Sequence, residues 1–285
     1  MKFLKAMLYL LSVILLLFLG LLGLLYYNQD KLIFFPELLP EEYTYSFPYQ
    51  FEEIQLDQED GEKIYGLFFP AKGPSKGTVL YFHGNAGSLR SWGGVAEDFV
   101  PRGWDLLMTD YRGYGKSRAR LTEKGMYEDA EKWYSYLQTH KAKKENEILI
   151  YGRSIGTGVA LDLGTKTYPA YILLETPYTS IADLAREFYP FVPSWFLSFA
   201  LDSKKKIEKV KSPITIFHGD QDEIVPFEQG QALFQIATQA GKDAKFVRIE
   251  GGNHNNLSFY PKYQKGLSEI LDSVHANRGR TNAQR

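Results

Sequence analysis

Hydrophobic and polar positions divide the chain into three regimes. From Ala6 to Tyr27 the run AMLYLLSVILLLFLGLLGLLYY carries no charge, and at about 1.5 Å rise per residue it reaches across a hydrocarbon core roughly 30 Å thick. It predicts a transmembrane helix. A cleaved signal peptide would have an apolar region of about 7 to 15 residues ending at small residues. The run shows neither feature, so an uncleaved anchor is expected. Tyr26 and Tyr27 fall where an interfacial aromatic belt would sit. Lys2, Lys5 and the terminal amine flank the run on one side, against Asp30 and Lys31 on the other. The positive-inside bias then places the N-terminus in the cytoplasm and the following domain outside it.

The second regime, KLIFFPELLPEEYTYSFPYQF, is too rich in proline for a long helix and is strongly aromatic. It is read as packing along the domain near the bilayer, either docked on the core or touching lipid. Next, FEEIQLD and KIYGLFFP flank the turn QEDGE and predict a β-hairpin. Beyond them short β-type runs alternate with helical stretches. The strands are TVLYFHG, WDLLMTD, EILIYG, AYILLE, ITIFHG and KFVRIEGG; helices are read at EDAEKWYSYLQ, after Gly156 and around EQGQALFQIATQA. Such alternation requires crossovers, hence an α/β fold with a mostly parallel sheet covered on both faces. The expected organisation is an anchor over 1–30, one α/β domain over 31–275 and a polar tail over 276–285.

Composition narrows the partners. A chain of 285 residues with 44% hydrophobic content can bury one large core. The formal net charge of −1 shows no basic excess, which argues against nucleic acid. The absence of cysteine excludes disulfides, a thiol nucleophile, thiolate metal ligands and a cysteine lipid anchor. No cofactor or metal is expected, and oligomeric state is left open.

In a parallel sheet, functional groups gather at the C-terminal ends of the strands. There Gly152-Arg153-Ser154-Ile155-Gly156 fits G-x-S-x-G, in which the serine sits on a strained strand-to-helix turn. Alone the pentapeptide is weak; a strand before it and a helix after it make it strong. A nucleophilic serine needs a base, and of five histidines His254 suits best, in the loop EGGNHNN after the last strand. His83 and His218 end strands, His140 lies among lysines and His275 borders the tail. The acid should lie between serine and histidine in sequence. Asp222 is chosen because its place beyond a strand end lets the loop turn back to His254; Asp220, read as an Asx-turn residue, and Glu175 follow. Arg153 is expected to pair with a local carboxylate. The segment 177–213 is long enough only for a small cap, in which FYPFVPSWFLSF lines an acyl pocket, touches lipid or packs on the core.

The motifs YFHGNAG, DYRGYGKS, YGRSIGTG, FHGDQDEIVP and GGNHN, in this order, resemble those of the α/β-hydrolase superfamily, and more narrowly of the membrane-anchored Bem46-like serine hydrolases, relatives of the α/β-hydrolase domain-containing 13 and 17 groups. The resemblance extends from about Lys31 to His275 and includes the anchor. It implies a triad of Ser154, Asp222 and His254, with HGNAG as the oxyanion loop and the backbone N–H groups of Asn85 and Ile155 as donors. The expected activity is hydrolysis of esters or thioesters of small or lipid-like acyl substrates. Two other readings stand: a catalytically idle domain serving as a membrane-bound binding protein, and an amide or peptide hydrolase.

Overall fold

Alternate residues of the apolar runs face opposite layers of one central sheet. Ile148 and Ile150 join one buried cluster, Leu149 and Tyr151 the other. A strand buried on both faces has no polar side to spare, which is why these runs read as continuously hydrophobic. The computed structural model describes residues 2–58, 61–190 and 192–283. Its eight sheet strands are β1 (Glu52–Asp57), β2 (Lys63–Phe69), β3 (Thr78–Phe82), β4 (Asp105–Thr109), β5 (Ile148–Arg153), β6 (Tyr171–Glu175), β7 (Ile214–Gly219) and β8 (Ala244–Ile249). Their order is β1-β2-β4-β3-β5-β6-β7-β8. The hairpin β1–β2 is antiparallel and β2 pairs antiparallel with β4; every other pairing is parallel. Glu59 and Asp60 of the expected hairpin turn lie outside the described residues, as does Phe191 of the cap.

Its helices include α1 (Lys2–Tyr27), the short α2 (Gln29–Ile33), α3 (Glu123–Thr139), α4 (Gly156–Lys166), α5 (Ile181–Phe188), α6 (Phe227–Gln239) and α7 (Pro261–Ala283). Met126, Trp133 and Leu137 of α3, Val159 and Leu163 of α4 and Leu233 of α6 cover one face of the sheet. Leu267 and Leu271 of α7 cover the other, with Leu89, Phe99 and Trp104 from the β3–β4 connection. Each large apolar side chain so buried stabilises the fold by about 1.5–3 kcal/mol. The backbone of the stretch expected as a polar tail continues α7 up to Ala283; Gln284 and Arg285 lie outside the described residues. α1 buries none of its residues against the domain and is long and apolar enough to cross a membrane.

The order reverses around β3: the chain passes from β3 out to β4 and returns across β3 to β5. A crevice therefore opens between the ends of β3 and β5. α5 forms the cap, its N-terminus held by Ser180, whose hydroxyl accepts from the Asp183 N–H at 2.9 Å. The Asp183 carboxylate accepts from that hydroxyl at 2.7 Å. Such a cap contributes about 1 kcal/mol.

Candidate active site

Ser154 directly follows β5 and lies in the left-handed region, with φ of +52°. A residue with a Cβ held there costs of order 1–3 kcal/mol. Its N–H donates to Glu175 O at 2.9 Å, and its C=O accepts from the Thr157 N–H and hydroxyl at 3.0 and 2.7 Å. The flanking glycines allow the turn. A Cβ on Gly152 would lie 2.6 Å from Gly156 O, and one on Gly156 would lie 2.2 Å from Phe82 O on β3. Strand, turn and helix thus approach backbone to backbone, leaving the Ser154 hydroxyl to project into the crevice.

The loop after β8 brings His254 to it. Nε2 of His254 lies 3.0 Å from Ser154 Oγ, and Nδ1 lies 2.8 and 3.0 Å from the two carboxylate oxygens of Asp222. An ionised carboxylate only accepts, so Nδ1 carries the proton and Nε2 is left to accept from the hydroxyl. Asp222 Oδ1 also accepts from the N–H groups of Ile224 and Val225 at 2.9 and 2.8 Å. Burial alone would raise this carboxyl, but hydrogen bonds from His218 and His254, the charge of His254 and the Val225 N–H hold it well below the usual carboxylate range. It stays ionised.

His218 is a contributor that the sequence reading passed over. Its Nε2 donates to Val225 O at 2.9 Å and stands 3.3 Å from Asp222 Oδ2, so it braces the turn that aims the acid. The available signal was its place four residues before Asp222 in HGDQD. Asp220 reaches beyond its own loop. It pairs with Arg248 at 2.7 Å and accepts from Gly251 N–H at 2.8 Å, tying down the start of the loop that carries His254. Glu175 lies 3.4 Å from Arg153 Nε and accepts from the Tyr151 hydroxyl. Arg153 thus has the local carboxylate partner expected of it, and donates besides to His254 O at 3.2 Å.

The HGNAG loop sits beside Ser154: a Cβ on Gly84 would lie 3.8 Å from Ser154 Cβ. His83 Nδ1 lies 2.7 Å from Gly84 O, the carbonyl of the peptide unit that carries the Asn85 N–H, and His83 Nε2 stands 3.3 Å from the buried Asp110. The imidazole therefore fixes the direction of that N–H. Burial pushes the Asp110 carboxyl up, against the opposing pull of His83 and the Leu89 N–H. The Asn85 side chain acts elsewhere. Its amide donates to Ile33 O at 2.6 Å, and its Oδ1 accepts from the Tyr114 hydroxyl at 3.0 Å, so the segment after α1 is strapped to the loop. Phe35–Pro36 extends this contact by pairing in parallel with Ala86–Gly87.

Above Ser154, Ile155 and His254 lies a cleft of about 940 Å³, walled by Leu25, Leu32 and Ile33 from α1 and α2 and by Leu184, Phe188 and Leu197 from the cap. Such a volume holds a ligand with a long apolar part. Among the described residues there is no group of three or more His, Asp or Glu side chains able to hold a metal ion.

A family described as serine aminopeptidase, S33, matches residues 73–204. The human alpha/beta hydrolase domain-containing protein 17B is 30% identical over 221 residues, which cover 76% of this chain and 74% of the relative. The corresponding 17C protein of Xenopus tropicalis is 29% identical over 235 residues, covering 78% and 73%. Among solved structures, an esterase of Pyrococcus furiosus matches with a TM-score of 0.68 at 19% identity, over 85% of this chain and 99% of that one. A thermostable carboxyl esterase from Bacillus coagulans gives 0.65 at 14% identity, over 79% and 99%. At those identities the structures speak for the fold, and the sequence relatives speak for the family. The chain belongs to the α/β-hydrolase family that includes the alpha/beta hydrolase domain-containing 17 proteins.

Proposed function

We propose that this hydrolase is a membrane-anchored serine enzyme that cleaves carboxylic esters or thioesters through an acyl-enzyme. The observation that carries the reading is the unbroken contact line from Ser154 Oγ to His254 Nε2 at 3.0 Å and from His254 Nδ1 to Asp222 Oδ2 at 2.8 Å, under a cleft with apolar walls. His254 takes the proton as Ser154 Oγ attacks the acyl carbon, and Asp222 holds the imidazole in the tautomer that can accept it. The oxyanion lies against the N–H groups of Asn85 and Ile155. Donors of this kind are worth about 2.7–4 kcal/mol each where measured. The proton on His254 passes to the departing alcohol or thiol, and water, activated by the same base, releases the acid.

Residues 1–30 form the anchor in this reading, with the hydrolase domain after them on the extracytoplasmic side, as the charges of Lys2 and Lys5 favour. The cleft walls support an acyl chain as the bound group. The serine aminopeptidase family description supports a second reading, amide hydrolysis. A panel of p-nitrophenyl esters of increasing chain length, with matching thioesters and anilides, separates the two. Turnover of esters and thioesters that rises with chain length is expected. Turnover confined to anilides would overturn the ester assignment.

A further inference from the structure

The cleft is not closed by the hydrolase domain alone. One wall is the end of the anchor helix itself: Leu25 of α1 lines it, followed by Gln29, Leu32 and Ile33 of α2. This wall is fastened to the cap. The Gln29 side chain is buried; its amide donates to Phe196 O at 2.6 Å and its carbonyl accepts from the Ser198 N–H at 2.8 Å. Tyr26 meets the Phe196 ring edge to face at 5.7 Å. α1 and the cap are therefore locked at one level, the last turn of the apolar helix.

That level fixes where the bilayer lies. The uncharged run ends at Tyr27, so Leu25 and Tyr26 stand at the boundary of the hydrocarbon. Phe196, in contact with Tyr26, stands there too, and Trp195 packs edge to face on Phe196 at 6.2 Å. Around this point the surface is apolar and uncovered. Trp195 is 79% exposed, Phe35 60% and Tyr189 58%, with Leu32 and Phe188 also open to the outside. A soluble surface rarely gathers so many large apolar side chains in one place. Trp and Tyr at the end of a spanning helix match the headgroup region, where an apolar ring and a polar edge are both satisfied.

We propose that this rim is seated in the bilayer interface and that the cleft opens into the membrane. The acyl chain then enters sideways, from the hydrocarbon, between α2 and α5, and the substrate is a membrane-resident acyl ester or thioester whose chain never crosses water. The docking surface stands on the exposure and contacts above; the substrate class rests on the proposed serine hydrolysis.

The test uses the full-length protein in phosphatidylcholine vesicles, with acyl chains brominated near the carbonyl as quenchers. Trp104 and Trp133 are fully buried and Trp92 is half-buried against the cleft, so the difference between the native protein and Trp195→Phe, rather than the native signal alone, reports on Trp195. Bromolipid should quench the native emission, and Trp195→Phe should lose most of the quenched component. Equal quenching in the two proteins, or none, overturns the docking surface, and a second copy of the chain protecting Trp195 would show up as the latter. In the same vesicles Trp195→Glu should cut hydrolysis of a long-chain ester dissolved in the bilayer by about tenfold or more, the effect of taking one large apolar side chain out of its apolar surroundings. Trp195 does not line the cleft, so turnover of p-nitrophenyl acetate should be unchanged. An equal effect on both esters, or on neither, overturns entry from the membrane. If bromolipid quenches Trp195 while neither ester is turned over and fluorophosphonate fails to label, the serine-hydrolase reading fails and the docking surface stands.

Discussion

Replacing Asp222 with Asn tests the acid through geometry. The carboxylate meets four donors: the N–H groups of Ile224 and Val225 on Oδ1, His254 Nδ1 on both oxygens, and His218 Nε2 near Oδ2. An Asn side chain has one oxygen for these and one NH2. If the oxygen keeps the two backbone donors, the NH2 faces His254 Nδ1 and donates to it. The imidazole then carries its proton on Nε2, and that nitrogen cannot accept from Ser154. If the amide turns over, the NH2 faces two buried N–H groups, and each donor left unpaired costs about 1–3 kcal/mol. The first arrangement is favoured. kcat should fall by about 10⁴, as it does when the orienting carboxylate of a triad becomes an amide, a barrier increase of roughly 5 kcal/mol. Asp220→Asn, which weakens the ties to Arg248 and Gly251, should act mainly on stability. Steady-state kinetics on a short p-nitrophenyl ester and a thermal melt of each variant read both effects. A kcat for Asp222→Asn within tenfold of native, or a larger loss in Asp220→Asn, would refute the reasoning.

His83→Phe keeps a ring in place but removes the bond to Gly84 O, so kcat should fall up to about a hundredfold with KM little changed, below the loss of a whole oxyanion donor; an unchanged kcat would remove His83 from any positioning role. Because the folded Asp222 carboxyl lies below its unfolded value, the unfolded chain binds more protons and stability rises with pH. Its contribution is full above about pH 4 and fades as pH falls through the depressed folded value. Native protein and Asp222→Asn should therefore differ most in melting temperature at pH 7, with a gap that begins to narrow below about pH 4 and is still present at about pH 3; a gap that widens in acid would contradict this. Deleting residues 1–27 leaves Ser154, His254 and Asp222 untouched but strips Leu25 from the cleft wall. Short soluble esters should still turn over, while the preference for long chains should weaken, as rates across a chain-length series would show.

The sheet was legible because its strands are buried on both faces, which forces apolar runs such as YILLE and ITIFHG into the sequence. Ser154, His254 and Asp222 could be named because each follows a strand end, and strand ends of a parallel sheet converge. The braces were not legible. His218 and Asp222 are near neighbours in sequence, but only the Ile224–Val225 turn brings the imidazole against the carboxylate. Gln29 and Phe196 meet across 167 residues, and neither carries a pattern that announces the other. The Asn85 side chain was hidden by its own backbone: the HGNAG motif points to the N–H, and the amide that straps Ile33 belongs to this chain's particular entry from α1. The reach of α7 to Ala283 escaped because NRGRTNAQR offers no apolar periodicity.

The central claim is that Ser154 is the nucleophile. Labelling the full-length protein with a fluorophosphonate, followed by peptide mass spectrometry, measures it directly. One phosphonyl group should be found per chain, on Ser154, and Ser154→Ala should neither label nor hydrolyse esters while keeping the native melting temperature within a few degrees. Stoichiometric labelling of Ser154→Ala at another serine, or ester turnover surviving in that variant, would contradict the account.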